Sequence, residues 1–406
     1  MAAVDAIFAD GYAGSREVVL VDNASSRPVI DELVARHPAL VVRRSARNLG
    51  FGGGCNLGIG DPTDVDLVAL VNNDAVVEPG WLDPLVAALE ADDGLAAAMP
   101  KVVLTGEFVA VDLHAERDGV VRLHDVTVAG AHQGAQLRVG FYGPQGQRAH
   151  EAPHERLAVD SELWAPAGAE ATVVLSASEP VAASIVAGGA PVGVTLGRRP
   201  TPVVVELAGP RATVVNSTGI VLTPDLRGAD RGWLDADDGR WDEPAPIDAW
   251  SGSAVLLRAS ALAEVGGFDE RLFMYCEDLE LSWRAARAGW RFTYAPGPVV
   301  HHQHSATAIA GSDFATYHKE RNRLLLLARH APAGVAVRAF LRAALVLLSY
   351  ARRDLVRAPL HGDPPSTAAL AVRARALAGA LRLLPGALGS RRADRRTLGP
   401  PRVLGR

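Results

Sequence analysis

The chain has 406 residues, 49% of them hydrophobic and 21% charged, and its formal net charge is -5 at pH 7. This length and composition exclude a disordered chain and favour two or three domains with large cores. The two cysteines, Cys55 and Cys276, are too few for a disulfide framework, so we expect a protein of the reducing cytosol.

Short apolar runs alternate with helical patterns in the first 104 residues. We predict helices at residues 2–11, 29–36 and 81–90, and buried strands at residues 17–21, 40–43, 67–71 and 95–99. This alternation indicates a parallel α/β sheet. Ligands collect beyond the carboxyl ends of such strands, and Asp22 and Asp74 follow two of them.

The segment NLGFGGGCNLGIG, residues 48–60, is rich in glycine. Its spacing does not match the dinucleotide fingerprint, and no lysine follows it as in a Walker-type phosphate loop. Two interpretations remain open. The glycines form a tightly packed turn, or they begin a helix whose backbone amides approach a phosphate-bearing ligand.

Asn72, Asn73 and Asp74 follow the third predicted strand and are equally ambiguous. Such a segment can be an ordinary turn. It can also supply the one carboxylate that a hard cation such as Mg²⁺ takes before substrate phosphates and water complete its shell.

Residues 105–211 read as an inserted all-β module. Apolar, β-rich runs at residues 120–128, 135–142, 172–176, 192–196 and 202–207 are separated by Gly and Pro turns. This pattern favours a small sandwich, and it contains no metal-ligand spacing. The module is a structural spacer or a site for a glycan or protein partner, and its fold alone does not decide between them.

The segment GGFDERLFMYCEDLELSWR, residues 266–284, places Glu277 and Asp278 at the start of a helix predicted at residues 278–288 and capped by Gly289. The carboxylates cap the helix, or one of them does acid–base chemistry. The histidines of VVHHQH, His301, His302 and His304, are packing residues or ligands by the same reasoning.

The C-terminal part is basic: from Tyr317 onward there are 18 Arg or Lys residues against 4 Asp or Glu. Residues 338–353, RAFLRAALVLLSYARR, suit an interfacial membrane helix, and we judge their apolar centre too short to span a bilayer. A second helix is predicted at residues 368–384, and residues 389–406 as disordered. The alternative is ordinary packing on the preceding domain. Nucleic-acid motifs are absent.

Together these segments resemble the family 2 glycosyltransferases. The motifs VVLVDNAS, RNLGFGGGCNLGIG, LVNNDAVVEPGWLDPLV, WSGSAVLLR, GGFDERLFMYCEDLELSWRAARAGWRFTYAPGPVVHHQHSAT and KERNRLLLL occur in the order found in that family. They are most similar to the bacterial rhamnosyltransferase-like branch, which builds cell-surface glycans. The resemblance covers roughly residues 5–104 and 212–330.

The resemblance implies an α/β, Rossmann-like GT-A domain that binds a nucleotide-sugar. We expect four parts: a first GT-A part at 1–104, the β module at 105–211, a second GT-A part at 212–330, and a basic helical tail at 331–406. The implied activity is inverting, metal-dependent transfer of a sugar from a nucleoside diphosphate to a glycan or lipid-linked acceptor. We expect the protein in the cytoplasm, peripheral at the inner face of the plasma membrane.

Site residues carry over by position. Asp278, with Glu277 beside it, matches the catalytic base, and Asp74 and His302 match the site of a divalent cation, Mg²⁺ or Mn²⁺, with His304 as the alternative histidine. Trp250, Ser251 and Gly252 fall on the acceptor side. The donor pocket would be lined by Asp22, Asn23, Asn48, Gly50, Phe51, Asn56, Asn73 and Arg321.

One departure concerns the first strand. The family opens with an apolar strand that ends in a Thr-Tyr-Asn-like segment, whereas Met1 begins in the helix after it. We therefore expect a protein extended upstream to be more stable. The competing hypothesis is a non-catalytic glycan-binding or scaffold protein derived from such an enzyme. A nicotinamide-dependent oxidoreductase is disfavoured by the glycine spacing.

Overall fold

A computed structural model describes residues 1–26, 29–131, 134–145, 154–224, 226–297, 299–303, 312–357 and 367–398. The helices are α1 Ala2–Ala9, α2 Val29–Arg36, α3 Gly50–Ile59, α4 Leu82–Ala91, α5 Ala259–Val265, α6 Glu277–Ala288, α7 Asp313–His330, α8 Ala333–Ala351 and α9 Ala368–Thr397. Single 3₁₀ turns lie at Pro62–Asp64 and Glu270–Leu272, and a π-helical turn, Arg352–Arg357, extends α8.

The first half of the strands are β1 Val18–Asn23, β2 Leu40–Ser45, β3 Leu67–Val71, β4 Ala75–Val77, β5 Leu95–Met99, β6 Val102–Leu104, β7 Phe108–Ala115, β8 Val121–Val128, β9 Gln136–Gln145, β10 His154–Pro166 and β11 Glu170–Ala177. The others are β12 Val181–Val186, β13 Val192–Leu196, β14 Thr201–Glu206, β15 Arg211–Ala212, β16 Val215–Ser217, β17 Ile220–Leu222, β18 Gly228–Asp230, β19 Ala245–Ile247, β20 Ala254–Arg258, β21 Arg291–Tyr294 and β22 Val300–His302.

The central sheet is mixed, with strand order β19-β21-β5-β20-β3. All helices and strands predicted in the first 104 residues are present. The prediction of a purely parallel sheet was wrong, because β20 lies antiparallel between β5 and β3, and β1 pairs in parallel with β2 in a separate two-stranded sheet. Strand β20 belongs to the second half of the chain, so the pattern of the first 104 residues could not show its direction.

A smaller sheet, β16-β6-β22-β4, lies beside the central one. Its strand β22 is antiparallel to β4 and parallel to β6, so His302 stands opposite Ala75 on one side and Leu104 on the other. Because Ala75 directly follows Asp74, this register carries His302 to the polar end of β3.

The inserted module is a single nine-stranded sheet from β7 to β15. Its main path is β13-β12-β7-β10-β8-β11-β14, with β9 paired to β10 and β15 to β7. All five predicted runs are strands, and β7, β10, β12 and the two-residue β15 were missed. The sheet encloses its own core, which includes Val111, Leu163 and Val173. The strands agree with the all-β prediction, and they are hydrogen-bonded as one continuous sheet around their own core.

The C-terminal helices pack on the part of the protein that follows the inserted module. Asp394 of α9 forms ion pairs with Arg329 of α7 and Arg287 of α6. Residues 389–397 are therefore helical rather than disordered as expected, because this buried carboxylate ties the last turns of α9 to two other helices. Residues 399–406 lie outside the described part of the chain.

Helix α8 with its π-helical extension, Ala333–Val356, is 24 residues long with hydropathy 1.6. By length and composition it could cross a membrane, so the expectation that the apolar stretch is too short was wrong. Helix α8 contacts α7 and α9 through small residues, Ala336 and Ala339, which are nearly buried. The remaining apolar side chains of the helix largely face outward.

Candidate active site

The two adjacent carboxylates follow a strained turn. Phe273, Tyr275 and Cys276 have φ values of 63°, 68° and 71°, in the left-handed region that residues with a Cβ rarely adopt. The turn delivers Glu277 and Asp278 to the first turn of α6, where the helix dipole favours negative charge. Such strain persists only where the surroundings hold the backbone in place.

Helix α7 supplies that restraint. The side-chain amide of Asn322, which is fully buried, donates to the carbonyl oxygens of Leu272, Met274 and Tyr275 at 2.9, 2.9 and 2.7 Å. Its neighbour Arg321 donates to the Leu272 carbonyl at 2.7 Å. The expectation that Arg321 contacts the donor was wrong, because its guanidinium is buried against this turn.

Asp278 keeps part of its surface accessible, and its Oδ2 accepts a hydrogen bond from the Gly252 N–H at 3.1 Å. Burial raises the pKa of Asp278, and the N–H groups of Gly252 and Leu279 partly offset this by favouring the carboxylate. A partly accessible carboxylate with raised proton affinity has the properties of a general base.

Glu277 has a different environment. It is 6% exposed, its Oε2 has no hydrogen-bond partner, and its Cβ faces Gly52 of α3. Burial, and then the charge of Asp278, raise the pKa of Glu277. Of the two carboxylates, Asp278 is the one that a substrate can reach.

The segment that contains Gly252 and Ser253 connects the polar end of β3 to Asp278. Because β3 and β20 are antiparallel, the residues after Val71 lie beside those before Ala254. The Asn72 N–H donates to the Ser253 carbonyl at 3.0 Å, and Gly252 holds Asp278. Residues far apart in the sequence are thus joined at one edge of the sheet.

Asp74 and His302 form a pair suited to a cation. Asp74 Oδ1 is buried without a hydrogen-bond partner and lies 3.2 Å from His302 Nε2. His302 Nδ1 is 2.8 Å from Asn216 Oδ1. Because that oxygen can only accept, Nδ1 carries the proton, and in the neutral ring Nε2 then presents its lone pair toward Asp74. Two such donor atoms about 3 Å apart can share one small divalent cation.

The pair does not form a complete metal shell. Across the described residues, no group of three or more His, Cys, Asp or Glu side chains has metal-binding geometry. Two ligands suit a cation that completes its shell with substrate phosphates and water. His304, the alternative ligand, lies outside the described residues.

Asp230 is a site residue that the sequence analysis missed. It lies on β18, hydrogen-bonds Ser217, and is close enough to Asp278 and His302 for each to affect its proton affinity. Burial raises the pKa of Asp230 to about 6, and the Asp278 charge adds to the rise while Lys319 opposes it. No sequence signal marks Asp230, because the pairing of β17 with β18 brings it into place.

The glycine-rich segment forms helix α3, but its N-terminus is occupied by protein acceptors. The N–H groups of Leu49, Gly50 and Phe51 donate to Asn23 Oδ1, Asn48 Oδ1 and the Phe273 carbonyl. The interpretation of these amides as a phosphate site was therefore wrong. The tight-packing alternative is supported: a Cβ at Gly50 would lie 2.1 Å from the Phe273 carbonyl oxygen.

The expected donor residues divide into two groups. Asp22 is partly exposed at the end of β1, and Asn48 and Asn73 are exposed, so these three keep surface for a ligand, although Asp22 also accepts the Ser25 N–H and Asn48 the Gly50 N–H. Asn23 and Asn56 are used within the protein. Asn23 holds the start of α3, and the Asn56 amide bonds Phe268 and Glu270. Phe51 is half-buried beside Gly252.

The expectation for the acceptor side needs a correction. Trp250 is 1% exposed and packs edge-on against Phe268 in the central core, so it cannot touch an acceptor. Ser251 is partly exposed, and its hydroxyl is 3.2 Å from that of Ser253. Gly252 contributes its N–H to Asp278 and carries no side chain that would cover the carboxylate.

Two family models match the chain. Residues 2–116 match the model described as glycosyl transferase family 2, and residues 239–350 match glycosyl transferase family group 2. The matched segments contain Asp74, Asp278 and His302, and they leave out most of the β module.

Curated relatives match over shorter segments. The N-acetylglucosaminyl-diphospho-decaprenol L-rhamnosyltransferase of Mycobacterium tuberculosis is 45% identical over 87 residues, which is 21% of this chain and 28% of that protein. Rhamnosyltransferase WbbL of Escherichia coli is 42% identical over 59 residues, 14% of this chain and 22% of that protein. The chain therefore matches less than a third of the length of either relative.

Among solved structures, GalNAc-T7 with UDP, GalNAc and Mn²⁺ aligns with 78% of this chain and 42% of its own. Its TM-score is 0.38 and the sequence identity 14%, so this likeness carries no argument about the site.

Proposed function

We propose that the chain is a family 2 glycosyltransferase and that it acts as an inverting, metal-dependent sugar transferase. It moves a sugar from a nucleoside-diphosphate sugar to a glycan or lipid-linked acceptor during synthesis of a cell-surface polysaccharide. The observation that carries the proposal is the position of Asp278, a partly exposed residue whose carboxylate is linked through Gly252 and Ser253 to the segment that bears Asp74.

The reaction needs a group that activates a sugar hydroxyl. Asp278 accepts the hydroxyl proton as the acceptor oxygen bonds to the anomeric carbon, and the bond from that carbon to the diphosphate breaks. Attack on the face opposite the diphosphate inverts the anomeric configuration. The transition state resembles the oxocarbenium ion of glycoside hydrolysis.

Asp74 and His302 are the residues that would hold a divalent cation, Mn²⁺ or Mg²⁺. The orphaned Asp74 Oδ1 and the tautomer that Asn216 imposes on His302 both fit this role. When bound, such a cation neutralises the charge that develops on the leaving diphosphate. Asp22, Asn48 and Asn73, each at least partly exposed, would provide polar contacts for the donor.

A lipid-linked acceptor is the class that we favour. The mycobacterial relative is named as a rhamnosyltransferase that acts on N-acetylglucosaminyl-diphospho-decaprenol, which is a lipid-linked acceptor. An enzyme acting on such a molecule must work at a membrane surface, and the C-terminal helices offer a suitable face. Val337, Leu341, Leu345 and Leu348 of α8 are 58%, 60%, 65% and 65% exposed, at helical spacing.

Exposed arginines accompany this apolar face. Arg338 and Arg342 lie one residue after Val337 and Leu341, and Arg352 follows the helix. Long cationic side chains beside an exposed apolar stripe suit a helix that lies in the headgroup region of an anionic leaflet. We therefore place the protein at the inner face of the plasma membrane.

A screen of nucleotide-sugars tests the transferase proposal. We expect one nucleoside-diphosphate sugar to raise the melting temperature in the presence of Mn²⁺ or Mg²⁺, and much less with EDTA. Transfer to a lipid-linked acceptor should then follow with the same donor. No stabilisation by any donor, with or without cation, would contradict the proposal.

Vesicle flotation tests the membrane proposal. We expect the protein to float with phosphatidylcholine–phosphatidylglycerol vesicles, and Leu341→Glu with Leu345→Glu to lose this binding. Val139→Glu with Val204→Glu adds the same charge at exposed positions of the β module and should leave binding unchanged. Equal flotation of both double variants would refute a role for α8.

A further inference from the structure

A groove lies between the first half of α7 and the first half of α9, outside the site already described. The groove is open to solvent and has a volume of about 750 Å³. Helix α7 contributes an aromatic wall and helix α9 contributes two arginines with small residues between them. The residues that line the α7–α9 groove are Asp313, Phe314, Tyr317 and His318 of α7 and Arg375, Ala378, Gly379 and Arg382 of α9.

The aromatic wall reaches the turn that positions Asp278. The ring of Phe273 stacks on His318 with centroids 5.4 Å apart and meets Phe314 edge-on at 6.4 Å. Burial, with a contribution from Arg321, lowers the pKa of His318 to about 4, so its ring is neutral and counts with the apolar wall at neutral pH. Phe314 is 43% exposed and offers its surface to a ligand.

The opposite wall is cationic. Arg375 and Arg382 are seven residues apart, so they lie two turns apart on one face of α9, about 10 Å along its axis. Arg375 is 66% exposed, and its only acidic neighbour in the described chain is Asp313, at the ion-pair limit of 4.0 Å. Ala378, between the arginines, is exposed and leaves the floor of the groove open.

The groove also borders the face that we place at the membrane. Leu381, next to Arg382, is 51% exposed, and α9 packs directly on α8. A molecule in the groove therefore lies on a helix that contacts α8 and beside the rings that contact Phe273.

We propose that the α7–α9 groove binds the isoprenyl diphosphate portion of a lipid-linked acceptor. The guanidinium groups pair with the diphosphate oxygens, and the aromatic wall covers the first isoprene units. Neither wall alone suits the whole ligand: a free phosphate leaves the aromatic wall in water, and a neutral lipid leaves the arginines without a counter-charge. This inference rests on the proposed function only for the choice of acceptor.

Three probes separate the contributions: farnesyl diphosphate, inorganic pyrophosphate and farnesol, measured by calorimetry without donor. We expect farnesyl diphosphate to bind at least about ten-fold more tightly than either of the others. Equal binding of pyrophosphate would reduce the groove to an anion site, and equal binding of farnesol to an apolar one. Either result overturns the proposal.

Matched variants locate the binding. Arg375→Glu with Arg382→Glu should weaken farnesyl diphosphate by at least about ten-fold, whereas Arg392→Glu with Arg396→Glu makes the same charge change at exposed positions outside the groove and should have little effect. Ala378→Trp fills the groove without removing charge and should also weaken binding; Ala393→Trp is its control. Equal losses from groove and control variants would overturn the proposal.

The two hypotheses can fail separately. A protein that discriminates the probes but transfers no sugar would keep the groove and refute the transferase. An active transferase whose groove variants bind all three probes like the unmodified protein would refute the groove alone.

Discussion

Helix α6 carries carboxylates in two opposite environments, less than one turn apart. Glu277 and Asp278 at its start have raised pKa values because burial is not matched by positive charge. Glu280 is 1% exposed, yet Arg284, Arg329 and His330 all contact it, and the pKa of Glu280 lies well below its ordinary value. The two environments differ in whether positive side chains offset the burial of the carboxylate, and burial itself does not distinguish them.

We infer different roles for the carboxylates at the start of α6 and for Glu280. A carboxylate that holds its proton more tightly than usual is poised to exchange it with a substrate, and the fold bears the energetic cost. A carboxylate fixed by two arginines and a histidine joins α6 to α7 and, through Asp394, to α9. We expect the first arrangement to serve chemistry and the second to serve stability.

The largest expected effect comes from removing the charge of Glu280, the carboxylate that positive side chains surround. Glu280→Gln leaves buried Arg284 and Arg329 without a full counter-charge and should lower the free energy of unfolding by about 3–5 kcal/mol. Glu277→Gln is the matched control on the same helix. Because Glu277 Oε2 has no partner, that variant should change stability by less than about 1 kcal/mol or raise it.

Urea unfolding of the two variants measures this contrast. Similar losses of unfolding free energy for Glu277→Gln and Glu280→Gln would show that the charge partners of Glu280 do not make it more important for stability than Glu277.

A second variant acts on the turn that delivers Asp278. Asn322→Ala removes the amide that holds three carbonyls of the left-handed turn, and it should cost about 1–3 kcal/mol of stability. We also expect kcat to fall while the KM for the donor changes little, because the carboxylate loses its position rather than its charge. Unchanged kcat in a folded variant would show that the turn does not need this restraint.

The cation pair offers a smaller, separable effect. Asn216→Leu removes the acceptor that fixes the tautomer of His302, and it should weaken Mn²⁺ binding by about 10–100-fold. Titration of donor binding with Mn²⁺ measures this. Mn²⁺ affinity equal to that of the unmodified protein would argue against His302 as a ligand.

The pH dependence has opposite signs at the two ends. The raised pKa values of Glu277 and Asp278 favour the fold at low pH, and this contribution is lost as pH rises through the folded-state values. The lowered pKa of Glu280 stabilises the fold at pH values above the pKa that this residue has in the unfolded chain. That contribution is lost as the pH falls through the folded-state pKa. Relative to the unmodified protein, the pH dependence of the melting temperature should therefore change in opposite senses in Glu277→Gln and Glu280→Gln. The same change in both variants would contradict this.

Sequence periodicity predicted the local elements well, and pairing between distant segments decided the rest. Strands 67–71 and 95–99 and helix α6 follow directly from apolar spacing and the Gly289 cap. The antiparallel entry of β20 and the role of Asp230 depend on register between segments far apart, which periodicity does not encode.

The site residues show the same division. The positions of Asp74, Asp278 and His302 follow from motif order, and the structure joins them at one edge of the sheet. Trp250 and Arg321 were misassigned because a motif does not reveal burial: one lies in the core and the other holds a turn. The glycines were ambiguous because close packing and phosphate binding require the same residue.

The most direct test is the rate of sugar transfer by Asp278→Asn at saturating donor and Mn²⁺, with donor affinity measured in parallel. If Asp278 is the base, kcat should fall by about 10²–10⁴-fold, while the donor binds as it does to the unmodified enzyme. Transfer at the unmodified rate by a variant that binds donor normally would show that another group accepts the proton.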